Sequence, residues 1–164
     1  MTIFVKNKHT LQISEFKFRC CIGKKGWTDN KKEGDKKTPK GTYEIGNLYF
    51  RKDRQEKPST LLKCIEIKKG MGWCNDIRFP KKYNKAFKIE KKIKHEKLKR
   101  KDYKYDLLIP IKYNFKKPVT GLGSCIFIHL TKDYKPTAGC IALKEKDFLI
   151  MLKLIRKKSK IKIF

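Results

Sequence analysis

Only one stretch of this chain, Glu145–Lys157, carries a helical pattern; elsewhere the apolar residues come in short runs divided by polar turns. In that stretch Phe148, Leu149, Met151, Leu152 and Ile155 recur at helical spacing, with basic residues gathered toward the C-terminal end. The other runs have strand lengths: Thr2–Val5, Thr10–Ile13, Phe16–Ile22, Thr42–Phe50, Leu61–Ile67, Leu107–Ile111 and Cys125–Leu130. Lys160–Phe164 alternates lysine with apolar residues, as an edge strand does. Gly23–Gly41 reads as a loop, Gly70–Asp76 as an irregular segment, and the lysine-rich Lys81–Lys104 as a surface helix or long loop. The expected architecture is mainly β with one late helix. With 164 residues, 39% of them hydrophobic, and no internal repeat, a single domain over 1–164 is expected, with a core of its own.

The 44 Lys and Arg residues outnumber the 16 Asp and Glu, leaving a net charge of +28. Such a surface favours polyanions, and a non-catalytic basic module that binds them is one reading of the chain. The excess is spread along the whole sequence, as in Lys31-Lys32, Lys68-Lys69 and Lys157-Lys158, which fits a solvated surface and no specific nucleic-acid partner. Six cysteines form no Cys-x-x-Cys pair and the three histidines are far apart in sequence, so neither a metal site nor a cofactor is expected. Cys20, Cys64 and Cys125 sit in apolar runs and read as small buried hydrophobes. No apolar run has the length of a membrane span, and the first residues do not have the pattern of a signal peptide.

The chemistry concentrates in Ser124–Leu143, where an apolar strand ends in His129 and a polar loop leads to Thr137-Ala-Gly-Cys140 and a second apolar run. A cysteine thiolate is a strong nucleophile, and a neighbouring imidazole can generate it. Strand alternation sets Cys125, Phe127 and His129 on one face and the more apolar Ser124, Ile126 and Ile128 on the other, the core side. Gly139 permits positive φ before Cys140 and leaves the amides of Gly139 and Cys140 free to meet an oxyanion. These features suit acyl transfer.

A series of blocks extends this pattern along the chain. Gly23-Lys-Lys-Gly26, Lys32-Glu-Gly-Asp35 and Thr38-Pro-Lys-Gly-Thr-Tyr43 are followed by Met71-Gly-Trp-Cys-Asn-Asp76 and Tyr83-Asn84. Then come Asp102-Tyr-Lys-Tyr-Asp106, Tyr113-Asn114, Gly123-Ser-Cys-Ile-Phe-Ile-His129 and Pro136-Thr-Ala-Gly-Cys140. In this order they resemble the L,D-transpeptidase catalytic domain of YkuD type, in the branch whose motif ends Thr-x-Gly-Cys. The resemblance implies a β-sandwich-like domain of mixed sheets with a helix after the catalytic cysteine. It implies Cys140 as nucleophile, His129 as base and the Leu130 carbonyl as the group that orients the imidazole. It implies peptidoglycan stem peptides as substrate, on the periplasmic or cell-wall side, with an L,D-carboxypeptidase or hydrolase as the alternative activity. A monomer is expected. Trp73, Asp76 and Arg78 are candidates for lining the cleft, Arg78 by meeting stem carboxylates, and Thr137 for touching substrate or shaping the turn. Ala138 stands where many members have a second histidine, and the interval from His129 to Cys140 is shorter than in many of them.

Overall fold

The strands at residues 2–7, 10–13 and 160–163 alternate buried apolar residues with more exposed ones, whereas those at 48–50, 107–110, 127–130 and 141–143 are buried on both faces. The computed structural model describes residues 1–164. Its strands are β1 (Thr2–Asn7), β2 (Thr10–Ile13), β3 (Phe16–Arg19), β4 (Trp27–Thr28), β5 (Thr38–Pro39), β6 (Gly41–Glu44), β7 (Leu48–Phe50) and β8 (Cys64–Glu66). There follow β9 (Met71–Cys74), β10 (Ala86–Lys88), β11 (His95–Lys97), β12 (Leu107–Pro110), β13 (Phe127–Leu130) and β14 (Ile141–Leu143). The helix α1 (Glu145–Leu154) and β15 (Lys160–Ile163) complete the chain.

Two five-stranded mixed sheets carry the fold, in the orders β3-β2-β1-β15-β6 and β14-β13-β12-β7-β8. A cluster of 25 buried residues takes side chains from both, among them Ile3, Val5, Leu11 and Ile161 from the first and Leu107, Ile109, Ile128 and Ile141 from the second. Phe148, Met151 and Leu152 of α1 enter the same core. The architecture is therefore mainly β, with mixed sheets and one late helix, as the resemblance implied. No helix is long and apolar enough to cross a membrane.

Several segments differ from the sequence-based expectation. The helix ends at Leu154, because Ile155 turns extended and is buried, and the turn Arg156–Ser159 is tied by Arg156 N–H to Ser159 Oγ at 3.0 Å. Thr42–Phe50 divides at Gly46, whose N–H donates to the Pro110 carbonyl at 2.7 Å, and its halves enter different sheets. β15 is not an edge strand: it lies between β1, parallel to it, and β6, antiparallel. Its lysines alternate because Ile161 and Ile163 face the core. Gly70–Asp76 and Lys81–Lys104 are neither irregular nor helical throughout: they supply β9, β10 and β11, a separate three-stranded sheet in the order β10-β9-β11. The loop 23–41 contains the short parallel pair β4–β5. All six cysteines are free, and Cys64 and Cys125 are only partly buried, because each borders a different surface cleft.

Candidate active site

β13 and β14 run side by side and parallel, with Ile128 opposite Ile141 and His129 opposite Ala142. Cys140 stands just before β14, one rung earlier, and Phe127 of β13 donates its N–H to Cys140 Sγ at 3.4 Å. The faces divide as alternation predicts. Ile126 and Ile128 enter the large core, whereas Phe127 and Cys140 belong to a smaller cluster with Trp73, Tyr105 and Leu108. Above this cluster opens a cleft of about 690 Å³, lined by Cys140, His129, Tyr105, Cys125 and Thr137 among others.

The imidazole of His129 is held in one orientation. Its Nδ1 lies 2.9 Å from the Leu130 carbonyl, and its ring packs edge-on against Tyr105 at 5.4 Å between centroids. A carbonyl only accepts, so Nδ1 carries the hydrogen and Nε2 presents its lone pair. Nε2 has no hydrogen-bond partner in the protein. Burial lowers the His129 pKa from 6.5 to about 4, against the upward pull of the Leu130 carbonyl and with a further downward push from Lys104 and Arg100. Burial likewise pushes the Cys140 thiol up to about 12, although the Phe127 amide favours the thiolate. The pair rests as thiol and neutral imidazole, and Sγ–H donates to the Cys125 carbonyl at 3.2 Å.

A buried neutral histidine links folding to acidity. The unfolded chain binds a proton at this residue below about pH 6.5, the folded one only below about pH 4. Between these values the unfolded state holds more protons, so stability falls as the pH drops and is fully present above 6.5. His129 is expected to withdraw about 3 kcal/mol of stability between pH 7 and pH 4. Urea unfolding of the wild type and His129→Gln at both pH values measures it; equal losses in the two proteins would contradict the burial of a neutral ring.

Gly139 shapes the turn that delivers Cys140. Its φ is +141°, and a Cβ there would stand 2.8 Å from the Lys37 carbonyl oxygen. Buried Thr38 fixes the same approach, donating its hydroxyl to the Gly139 carbonyl at 2.9 Å and accepting the Gly23 N–H at 2.9 Å. Gly139→Ala is expected to cost about 2 kcal/mol, from strain plus displacement of backbone that has nowhere to move. A denaturant melt checks it; a loss below about 0.5 kcal/mol would mean the turn gives way easily.

The expected pair of free amides is half realised. The Cys140 N–H makes no hydrogen bond within the protein, whereas the Gly139 N–H donates to Thr137 Oγ1 at 3.1 Å. Thr137 turns its hydroxyl inward, donating it to the Cys140 carbonyl at 2.6 Å, so it closes the turn although it borders the cleft. Trp73, Asp76 and Arg78 do not line the cleft. Trp73 is wedged among Tyr49, Phe115 and Phe127 with its indole N–H on Asn84 Oδ1 at 2.9 Å. Asp76 is buried and accepts from the Arg78 guanidinium and from the amides of Arg78 and Lys94, which hold its carboxyl well below the usual range. Arg78 is spent on that pair and reaches away over Phe79.

The cleft instead gathers Glu33, Asn75, Glu96 and Tyr105, to which the sequence reading gave no role. Glu33 accepts the hydroxyls of Tyr83 and of Ser124, the latter at 2.6 Å. Glu33, Asn75 and Tyr105 lie inside the matching blocks, which was the available signal; Glu96 lies in the lysine-rich stretch and had none. No group of three or more His, Cys, Asp or Glu side chains assembles that could hold a metal ion.

Comparison with known families gives a match over residues 1–163 to YkuD, the L,D-transpeptidase catalytic domain. No curated protein and no solved structure matches the chain. The match spans both five-stranded sheets, the cleft and the helix that follows it, and on it the chain belongs to the YkuD family of L,D-transpeptidase catalytic domains.

Proposed function

We propose that the chain is a peptidoglycan L,D-transpeptidase that works through a thioester on Cys140. The observation that carries this reading is that one cleft, where two parallel strands meet, is lined by both a thiol and an imidazole whose Nδ1 is committed to the Leu130 carbonyl. In the first step Sγ attacks the carbonyl carbon of the third stem-peptide residue. The C–S bond forms, the bond to the terminal D-amino acid breaks, and His129 Nε2 carries the thiol proton to the departing amine. In the second step a neutral amine of another stem peptide adds to the thioester. The new C–N bond replaces C–S, and the amine proton returns through His129 to Sγ.

The resting protonation sets the order of events. With both partners buried, a preformed thiolate–imidazolium pair is disfavoured, so proton transfer accompanies attack. The free Cys140 N–H is available to the oxyanion. Cations at the cleft, including Lys31, Lys94 and Lys104, suit a substrate rich in carboxylates.

Incubation with tetrapeptide muropeptides, read by mass spectrometry, tests the reading. Loss of the terminal residue with appearance of dimers is expected. Loss without dimers makes the protein an L,D-carboxypeptidase of the same fold, and no loss from folded protein overturns the assignment.

A further inference from the structure

One end of the sheet β10-β9-β11 borders the cleft through Glu96 of β11 and Asn75, the residue that follows β9, and the acceptors of both are sparsely paired. Trp73 in β9 stands opposite Glu96 in β11, and the ladder continues one bond further, from the Asn75 N–H to the Lys94 carbonyl at 3.3 Å. Asn75 and Glu96 are therefore diagonal neighbours on one face, a spacing of roughly 7–8 Å that long side chains close to a single small group. Both line the cleft that holds Cys140 and His129.

Asn75 Oδ1 is the one buried side-chain oxygen or nitrogen in the protein that lacks a hydrogen-bond partner. A buried acceptor left without a donor is unfavourable and is normally filled. Glu96 is nearly as bare: Tyr105 offers its hydroxyl to Oε2 at 3.4 Å, and Arg100 Nη1 stands 3.9 Å away. Arg100 is committed elsewhere, through Nε and Nη2 to Asp102 at 2.9 and 2.6 Å and over the Tyr105 ring at 4.9 Å. The other carboxylates of the cleft are engaged, Glu33 by Ser124 and Tyr83 and Asp133 by Lys135.

Two neighbouring acceptors, one of them charged, ask for a compact cation with several N–H groups. A primary ammonium has three donors and one positive charge. Lys31, Lys94 and Lys104 also line this cleft, so attraction of an ammonium falls to Glu96, the carboxylate there held only by Tyr105 and, more distantly, Arg100. We propose that Asn75 and Glu96 form a subsite for a primary ammonium group, which, resting on the reaction proposed above, belongs to the acceptor strand and gives up one proton to solvent before it attacks as the neutral amine. The charge of Glu96 also reaches the nucleophile, raising the pKa of the Cys140 thiol.

Titration of isotopically labelled protein with D-alaninamide hydrochloride, read by NMR at the Asn75 side-chain amide, tests the subsite without any turnover. A saturable shift is expected with this ammonium compound and none with neutral N-acetyl-D-alaninamide. Glu96→Gln is expected to weaken the binding at least about tenfold, since a charge-assisted bond is lost. In the muropeptide reaction, the ratio of dimer to hydrolysed product per acyl-enzyme is expected to fall about tenfold in both Glu96→Gln and Asn75→Leu. A folded wild type that shows no ammonium-dependent shift overturns the subsite, as does an unchanged product ratio in Glu96→Gln. If no acyl-enzyme forms at all, the transpeptidase reading fails while the titration still decides the subsite.

Discussion

Cys140→Ser is expected to slow release of the terminal D-amino acid from a tetrapeptide muropeptide by at least about a thousandfold, with the fold retained. The exchange alters a single atom in a pocket made by the Phe127 N–H and the Cys125 carbonyl, both of which a hydroxyl satisfies. What it removes is the polarisable, acidic nucleophile, and a serine in the same place faces a base too weak to ionise it. Cys64→Ser is the control, since β8 lies at the far edge of the second sheet from β14. Mass spectrometry of the intact protein with substrate completes the test. Turnover of Cys140→Ser within tenfold of wild type, or an acyl adduct on any other cysteine, would move the nucleophile elsewhere.

The second large effect is at His129. His129→Gln keeps an amide that can donate to the Leu130 carbonyl but offers no base, and a loss of about a hundredfold to ten-thousandfold in turnover is expected. The wild type carries a further signature in its pH profile. Since burial holds the imidazole neutral down to about pH 4, its acid limb is expected near that value, and activity persists at pH 5.5. An acid limb near the ordinary histidine value, or a variant as active as the wild type, would remove His129 from the proton path.

Local pattern and global constraint contributed unequally to what the sequence revealed. The faces of β13 were legible because alternation is a property of the strand alone: Ile126 and Ile128 go to the core, Phe127 and His129 to the cleft side. The helix start at Glu145 was legible for the same reason, its end less so, because a buried extended Ile155 answers to packing and not to helical periodicity. The sheet β10-β9-β11 was not legible at all. Its strands are three to four residues long and its outer members lysine-rich, so only backbone pairing with β9 makes them strands. That sheet carries Glu96 and leads into Asn75, so one side of the cleft was missed with it. Trp73, Asp76 and Arg78 were drawn from the right segment, yet packing among Tyr49, Phe115 and Phe127 takes the first and ion pairing ties the other two to each other.

The position of β15 has a consequence for how this protein comes into being. Residues 160–163 form the seam that joins β1 to β6, so the first sheet stays in two pieces until they are made. Until they dock, the meander β1–β3 waits with the apolar side of Ile3 and Val5 uncovered and with the ladder of β1 open on one flank. Pairing between segments so far apart in sequence forms late and slowly. A folding chain therefore passes through a sticky, half-assembled state that persists until residues 160–163 close the seam.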